Sequence, residues 1–423
     1  MSTEEKRNFQ ISQNSENSFS PDNELEVSKI VKKLYQENLP VEIIGSGSKR
    51  RIGKKLKCKK ILDLSKLSGV IEYLPEELYI KVKACTPIAE IEALLKKHNQ
   101  ELAFEPLDLG YMFYGKSNKG TASGHVSCNF SGPRRLKVGS IRDHVIGFRA
   151  VNGTGDIIKS GGNVVKNVTG YDLCKLVCGS FGTLVALTEL TFKVLPAKEN
   201  SNTLVIHELS IKDATAMLNK VASSSSDTSG AVFLPLEPKN GNYEQNIESL
   251  FKLNDLQYKG PFTAIRLEGS KTSIQERLAN LKKELDLDGK EISNLDTYQS
   301  TLFWEKIKNL EFFNNSKNAV LRAVIPPSSC VKLINFLDNK YKYFVDWGGS
   351  LVWFEVNDLS NSSLQPIRQF ILELNGYLTV IKHPDDQRSL EEVFTVAPDR
   401  LDISNNIKKS FDPKKIFNPG KMY

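Results

Sequence analysis

Apolar positions recur along the chain with two periods, one helical and one alternating. After Asn23, residues Leu25, Val27, Ile30, Val31 and Leu34 form a stripe at helical spacing, with Glu26 placed three residues on to complete a capping box. Residues 41–44 are a short apolar run that predicts a strand, leading into Gly45-Ser46-Gly47-Ser48-Lys49. Residues 80–84 alternate apolar with Lys, which predicts a half-buried strand. Thr86-Pro87 then opens a helix with Ile88, Ile91, Leu95 and His98 on one stripe. Residues 145–151 predict a strand, Asn152-Gly153 a turn and 156–159 its partner. Asp172 caps a short helix that Gly179 ends, and 184–194 runs out as a strand.

A polar stretch at 197–202 marks a domain boundary. Beyond it, strands are predicted at 203–208, 231–235, 264–267, 320–325, 343–345, 350–356 and 377–381, and helices at 211–222, 274–285, 330–337 and 364–374. This mixed alternation describes an α+β unit on an antiparallel sheet. The first 22 residues are polar and read as a flexible tail. The expected organisation is a tail over 1–22, a first domain over 23–198, and a second over 199–423 with a C-terminal tail.

Composition narrows the function. The 423 residues are 40% hydrophobic and 25% charged, ordinary for a soluble globular protein of two or three domains. The net charge of +7 is modest, and no aromatic-basic array points to nucleic acid. No apolar leader and no run of 18 apolar residues is found, so neither secretion nor a membrane span is expected. Six cysteines without a secretory signal predict reduced thiols and a cytoplasmic setting. Cys174 and Cys178 share a helix face but lack the further ligands that zinc or an iron–sulfur cluster needs. They read as core thiols, and no metal site is expected.

The chemistry concentrates where small residues interrupt strands. Three clusters fall at 120–124, at Ser131-Gly132 and at 179–183, where free backbone N–H groups can approach a bulky anion. The 45–49 loop is similar. It is not a dinucleotide fingerprint, because Arg50 stands where the third glycine belongs. It is not a P-loop either, because Gly53-Lys54 is followed by Lys55.

These residues carry a resemblance. Thr121-Ala122-Ser123-Gly124, Ser131-Gly132-Pro133, Ile141-Arg142-Asp143-His144-Val145-Ile146-Gly147 and Gly179-Ser180-Phe181-Gly182-Thr183-Leu184 stand in the order and spacing of the FAD-binding domain of the PCMH type, also called vanillyl-alcohol-oxidase type. Ser123 departs from a glycine of that pattern. Within the family, SGPRR, GG-x-V-x-KNV-x-GYDL, GSFGTL, IRLEGS, DWGGSLVWF and the terminal FDPKKIFNPGKMY are similar to the FAD-binding E subunits of bacterial glycolate oxidases.

The resemblance implies two α+β subdomains with FAD between them, followed by an α+β cap. It places the cofactor on Gly45, Ser46, Gly47, Ser48, Lys49, Thr121, Ser123, Gly124, Ser131, Gly132, Arg142, Ser180, Gly182 and Thr183. The first loop has no His, so non-covalent FAD is expected. Implied partners are a larger FAD-dependent catalytic subunit and an iron–sulfur subunit, and the implied setting is cytoplasmic, peripheral at the inner face of the cell membrane. The implied substrate is a small 2-hydroxy acid.

Such chemistry needs a base and a cation for the carboxylate. His125 is best placed as base. Arg134, Arg135, Arg266 and Arg322 are the cation candidates, Arg322 foremost. The His-Gly-Asp-Gly-Asn-x-His motif of the catalytic relatives is missing, and His383-Pro384-Asp385-Asp386 does not replace it. Two alternatives stay open: a free-standing FAD-dependent 2-hydroxy-acid dehydrogenase, and a non-redox assembly subunit that contains FAD.

Overall fold

The computed structural model describes residues 17–56, 58–162, 171–235, 261–314, 316–337, 340–384 and 393–422. Most of the GG-x-V-x-KNV-x-GYDL run, most of the N-terminal tail, and Asp385-Asp386 lie outside these residues.

The first helix, Glu24–Gln36, is capped as its sequence predicts. Asn23 Oδ1 accepts from Glu26 N–H at 3.0 Å, and the Glu26 carboxylate accepts from Asp22 N–H at 2.8 Å. Its buried face is Val27, Ser28, Val31 and Leu34, whereas Leu25, expected on that stripe, is 65% exposed. Strand Val41–Ile44 follows and pairs in parallel with Lys60–Asp63, which pairs with Ser18–Phe19. A second sheet runs Val70–Leu74, Tyr79–Lys83, Val185–Lys193, Val145–Asn152, Ile157–Gly161, all antiparallel. The first half therefore has two subdomains, each with its own sheet.

The hairpin joining the last two of these strands corrects the turn reading. Residues 152–156 form the connection, Asn152 Oδ1 accepts from the N–H groups of Thr154 and Asp156, and the positive φ falls on Gly155. Gly153 answers a different need. A Cβ there would sit 2.5 Å from the Asp412 side chain, so it is glycine for close approach by the returning C-terminus.

The second half carries a nine-stranded sheet among the described residues, every pairing antiparallel. Helices Ile211–Ala222, Lys271–Glu284, Cys330–Leu337 and Asn361–Glu373 cover one face. Each large apolar side chain so buried contributes about 1.5–3 kcal/mol. The opposite face packs Val320, Phe344, Trp353 and Phe262 against Leu107, Phe113, Phe130 and Phe181 of the first half. The sequence reading lacked helices Thr297–Lys308 and Pro398–Phe411. The second is charged and buries no residue, so it has no apolar stripe to announce it.

Two features fasten the halves together. Arg134 reaches Glu268 at 2.7 Å and Glu101 at 2.8 Å, and Arg266 reaches Glu105 at 2.8 Å, all within one buried network. The chain end also returns to the start: Val41 N–H donates to Ile416 O at 2.8 Å, and Phe417 is buried beside Val31 and Leu62. Asp412, fully buried, sets this return by accepting from the N–H groups of Ile416 and Phe417.

Candidate functional site

A cleft of about 110 Å³ opens between the two subdomains of the first half. One wall is the loop after strand Val41–Ile44. Gly47 adopts φ +73°, where a side chain would be strained. A Cβ on Gly45 would press within 3.2 Å of Cys85 Sγ and Thr121 Oγ1. The opposite wall is helix Ala122–Cys128, capped by Thr121, whose Oγ1 accepts from Gly124 N–H at 3.3 Å. Gly120, at φ +79°, lets this wall close on the loop, since a Cβ there would overlap Ser48 Oγ at 2.1 Å. Phe181, Gly182, Val185 and Leu187 close a third side, and Asn418 and Lys421 from the chain end close the fourth.

Nine of the expected cofactor residues meet on this cleft: Gly45, Ser46, Gly47, Ser48, Lys49, Thr121, Ser123, Gly124 and Gly182. The other five lie elsewhere. Ser131 Oγ accepts from Ile141 N–H at 2.9 Å. Gly132 gives its carbonyl to Trp347 Nε1–H at 3.0 Å, and a Cβ on it would meet Glu105 at 2.6 Å. Ser180 and Thr183 turn their hydroxyls onto the carbonyls of Val177 and Ser180, and line a separate cavity beneath helix Pro398–Phe411. The Arg142 side chain is half exposed, 3.9 Å from Asp143.

Lys49 is the cation of the cleft. It is buried, and its Nζ donates to Lys119 O at 3.0 Å and stands 3.1 Å from His125 Nε2. No carboxylate among the described residues forms an ion pair with it, and burial pulls its amine down to about 8. A buried amine without a counter-charge, beside a glycine-rich loop, fits the diphosphate of FAD. His125 lies behind the wall, fully buried, with Nε2 2.6 Å from Lys119 O and Nδ1 unpartnered. Burial and the neighbouring Lys49 hold its imidazole well below its ordinary value, so it is neutral. It faces the protein interior rather than the cleft. Arg322 lies on the nine-stranded sheet of the second half, among aromatic rings.

Asn418 is the residue that sequence reasoning passed over. Its Oδ1 accepts from Ile43 N–H at 2.8 Å and its Nδ2 donates to Phe181 O at 2.9 Å, so one amide ties the first loop's strand to the Gly-Ser-Phe-Gly turn. The Asn-Pro-Gly run around it signals only a turn. Cys85 and Cys128 also line the cleft, with thiols pushed up by burial to about 12 and about 11. Cys174 and Cys178 donate to the Ser160 and Cys174 carbonyls as thiols.

The fold and the cleft are those of a flavoprotein. Residues 17–161 match the FAD binding domain family, so the chain carries a PCMH-type FAD-binding domain and is a FAD-linked oxidoreductase. In sequence it is similar to glycolate oxidase subunit GlcE of Escherichia coli (strain K12), 29% identical over 93% of this chain and 95% of that one. It is also 27% identical to glycolate oxidase subunit GlcD of Bacillus subtilis (strain 168), over 72% and 68%, and 23% identical to a D-lactate dehydrogenase of Archaeoglobus fulgidus, over 95% and 90%. In structure it is similar to alkyldihydroxyacetonephosphate synthase, with a TM-score of 0.64 at 17% identity, over 95% of this chain and 75% of that one, which bears on the fold alone.

Proposed function

We propose that the chain is the FAD-binding subunit of a glycolate, or closely related 2-hydroxy-acid, oxidase complex. The observation that supports this best is the likeness to GlcE over 93% of this chain and 95% of that one. Bound FAD supplies the acceptor for the two electrons of alcohol oxidation.

The chain's own residues hold the cofactor non-covalently. The 45–49 loop offers backbone N–H groups and the Lys49 amine to the diphosphate. Phe181, Val185 and Leu187 keep water from the apolar side. Asn418 fixes the distance between the walls. The cleft thiols stay protonated at neutral pH and do not attack the flavin. The partners are a larger FAD-dependent subunit and an iron–sulfur subunit. The proposed setting is the cytoplasm, at the inner membrane face; no described helix is long and apolar enough to cross a membrane.

Anaerobic mixing tests the reading. Glycolate added to the lone flavin-loaded chain should leave its flavin oxidised, and reduction should appear once the partner subunits are present. Rapid bleaching of the lone chain would favour a free-standing dehydrogenase, the reading that the likeness to the Archaeoglobus fulgidus enzyme supports. A flavin that stays oxidised with partners and substrate present would leave the non-redox assembly role.

A further inference from the structure

His125 lies behind the cleft wall, and its surroundings give it a task other than that of a base. Its Nε2 stands 2.6 Å from Lys119 O and 3.1 Å from Lys49 Nζ, and the amine is 3.0 Å from the same carbonyl. A carbonyl oxygen only accepts, so the short contact requires Nε2 to carry the hydrogen. The neutral imidazole is then the Nε2–H tautomer, and Nδ1 keeps a lone pair, buried and without a partner among the described residues. This limits what Lys49 can do. An ammonium has three donors and no acceptor. Lys119 O takes one N–H, and Ser48 Oγ lies 3.4 Å away for a second. On another side the imidazole turns its own N–H toward the amine, hydrogen against hydrogen. A neutral amine meets that N–H with its lone pair, so the imidazole favours the uncharged form.

The other ionisable groups in reach do not reverse this. Asp108 already accepts from the N–H groups of Gly110 and Asn118 and from the Ser117 hydroxyl. Glu92 is paired with Lys119 at 2.6 Å, and Glu305 with Lys308 at 3.8 Å. The thiols of Cys85 and Cys128 are held protonated by burial, and Lys421 on the far wall is a like charge. Burial outweighs the attraction of Asp108 and draws the Lys49 amine down to about 8. Lys49 nevertheless lines the cleft, so an anion that enters can accept from it.

We propose that His125 is a positioning residue that couples FAD binding to proton uptake at Lys49: its Nε2–H disfavours the ammonium, and the diphosphate restores it. The proton comes from solvent and adds to the Nζ lone pair, so no bond to the flavin forms and no electron moves. The inference rests on the diphosphate lying at the 45–49 loop, and is independent of which hydroxy acid is oxidised. Below about pH 8 Lys49 is charged with or without flavin, and no proton is taken up. Above it, binding must first restore the ammonium, so FAD affinity falls about tenfold for each pH unit.

Calorimetric titration of FAD into the full-length flavin-free chain, in buffers of different ionisation heat, counts the protons. Uptake of about one proton at about pH 9, and of almost none at about pH 7, is expected. Lys49→Met should bind FAD more weakly and take up none. His125→Phe should move the onset of uptake upward, toward the 10.5 of the free side chain. Nitrogen NMR of the histidine-labelled parent chain, which needs no variant to fold, should show His125 as the Nε2–H tautomer. Lack of uptake by the parent at the higher pH, uptake that persists in Lys49→Met, an unshifted onset in a folded His125→Phe chain, or an Nδ1–H tautomer each overturns the proposal. If His125→Phe does not fold, the tautomer and the uptake of the parent decide the matter. A Lys49→Met chain with parental FAD affinity would reject the diphosphate at this loop, and the proposal with it. Weakened affinity in that variant, with no proton uptake by the parent, would reject the proton link alone.

Discussion

Lys49 Nζ lies 3.1 Å from His125 Nε2, and no carboxylate among the described residues pairs with that amine. The protein thus buries a cation at the floor of its cofactor cleft and sets a neutral imidazole beside it. Such an arrangement is costly without an anion and favourable with one, which makes the cofactor part of the fold's electrostatics.

Lys49→Met should stabilise the flavin-free chain while weakening FAD binding. The folded amine titrates near 8 against 10.5 for the free side chain. The unfolded chain then holds more protons between these values, so stability rises with pH across about 8 to 10.5, and the penalty is full below pH 8. That penalty is at most about 3.5 kcal/mol. Denaturant melts of both flavin-free chains at pH 7 and pH 10 check it. A gap that does not narrow at the higher pH would count against a charged Lys49.

Acid precipitation should release all the yellow colour into the supernatant. Neither cleft thiol is ionised at neutral pH, and the nearest imidazole is walled off. Flavin retained in the pellet would mean a covalent link.

Asn418→Ala removes both side-chain hydrogen bonds that join the cleft walls, and should cost about 1–3 kcal/mol with a loss of FAD affinity. Gly182→Val strikes the same contact from the other side. Gly182 has φ +66°, and a Cβ there would meet Asn418 Nδ2 at 2.7 Å, so this variant should lose its flavin while the second half stays folded. Absorbance of the purified variants and their circular dichroism read both effects.

Arg266→Met should destabilise the protein by about 3–5 kcal/mol, because it leaves Glu105 and Glu268 buried beside one another. Burial would raise Glu268, but Arg266 and Arg134 outweigh it and hold the carboxyl at about 2. The folded value lies below the unfolded one, so this stability is present above about pH 4.5 and lost as pH falls toward 2. Acid melts of the parent should show the loss, and the Arg266→Met chain should show less of it.

The strands and helices of the core were legible in the sequence wherever burial imposes a period. Helices Ile211–Ala222 and Cys330–Leu337 and strand Val41–Ile44 have the predicted bounds, since one face of each meets the core. The cluster of small residues around the first loop was legible for a related reason: glycine adopts the φ of Gly47 without strain and allows the close approach at Gly120. Local chemistry of this kind is written in local sequence.

What a side chain does across the fold was decided only by tertiary structure. Arg134, Arg135, Arg266 and Arg322 are all cation candidates in sequence, yet Arg134 and Arg266 meet carboxylates while Arg135 and Arg322 lie against aromatic rings, because the pairing depends on which strand lies opposite. His125 carries the chemistry of a base but sits on the buried side of a short helix. Asn418 binds Ile43 across 375 residues, and no spacing rule reaches that far. The sequence determined which segments fold and where a large anion can approach the backbone. The packing of the two halves determined which charges meet a partner among the described residues, since that depends on burial and on neighbours distant along the chain.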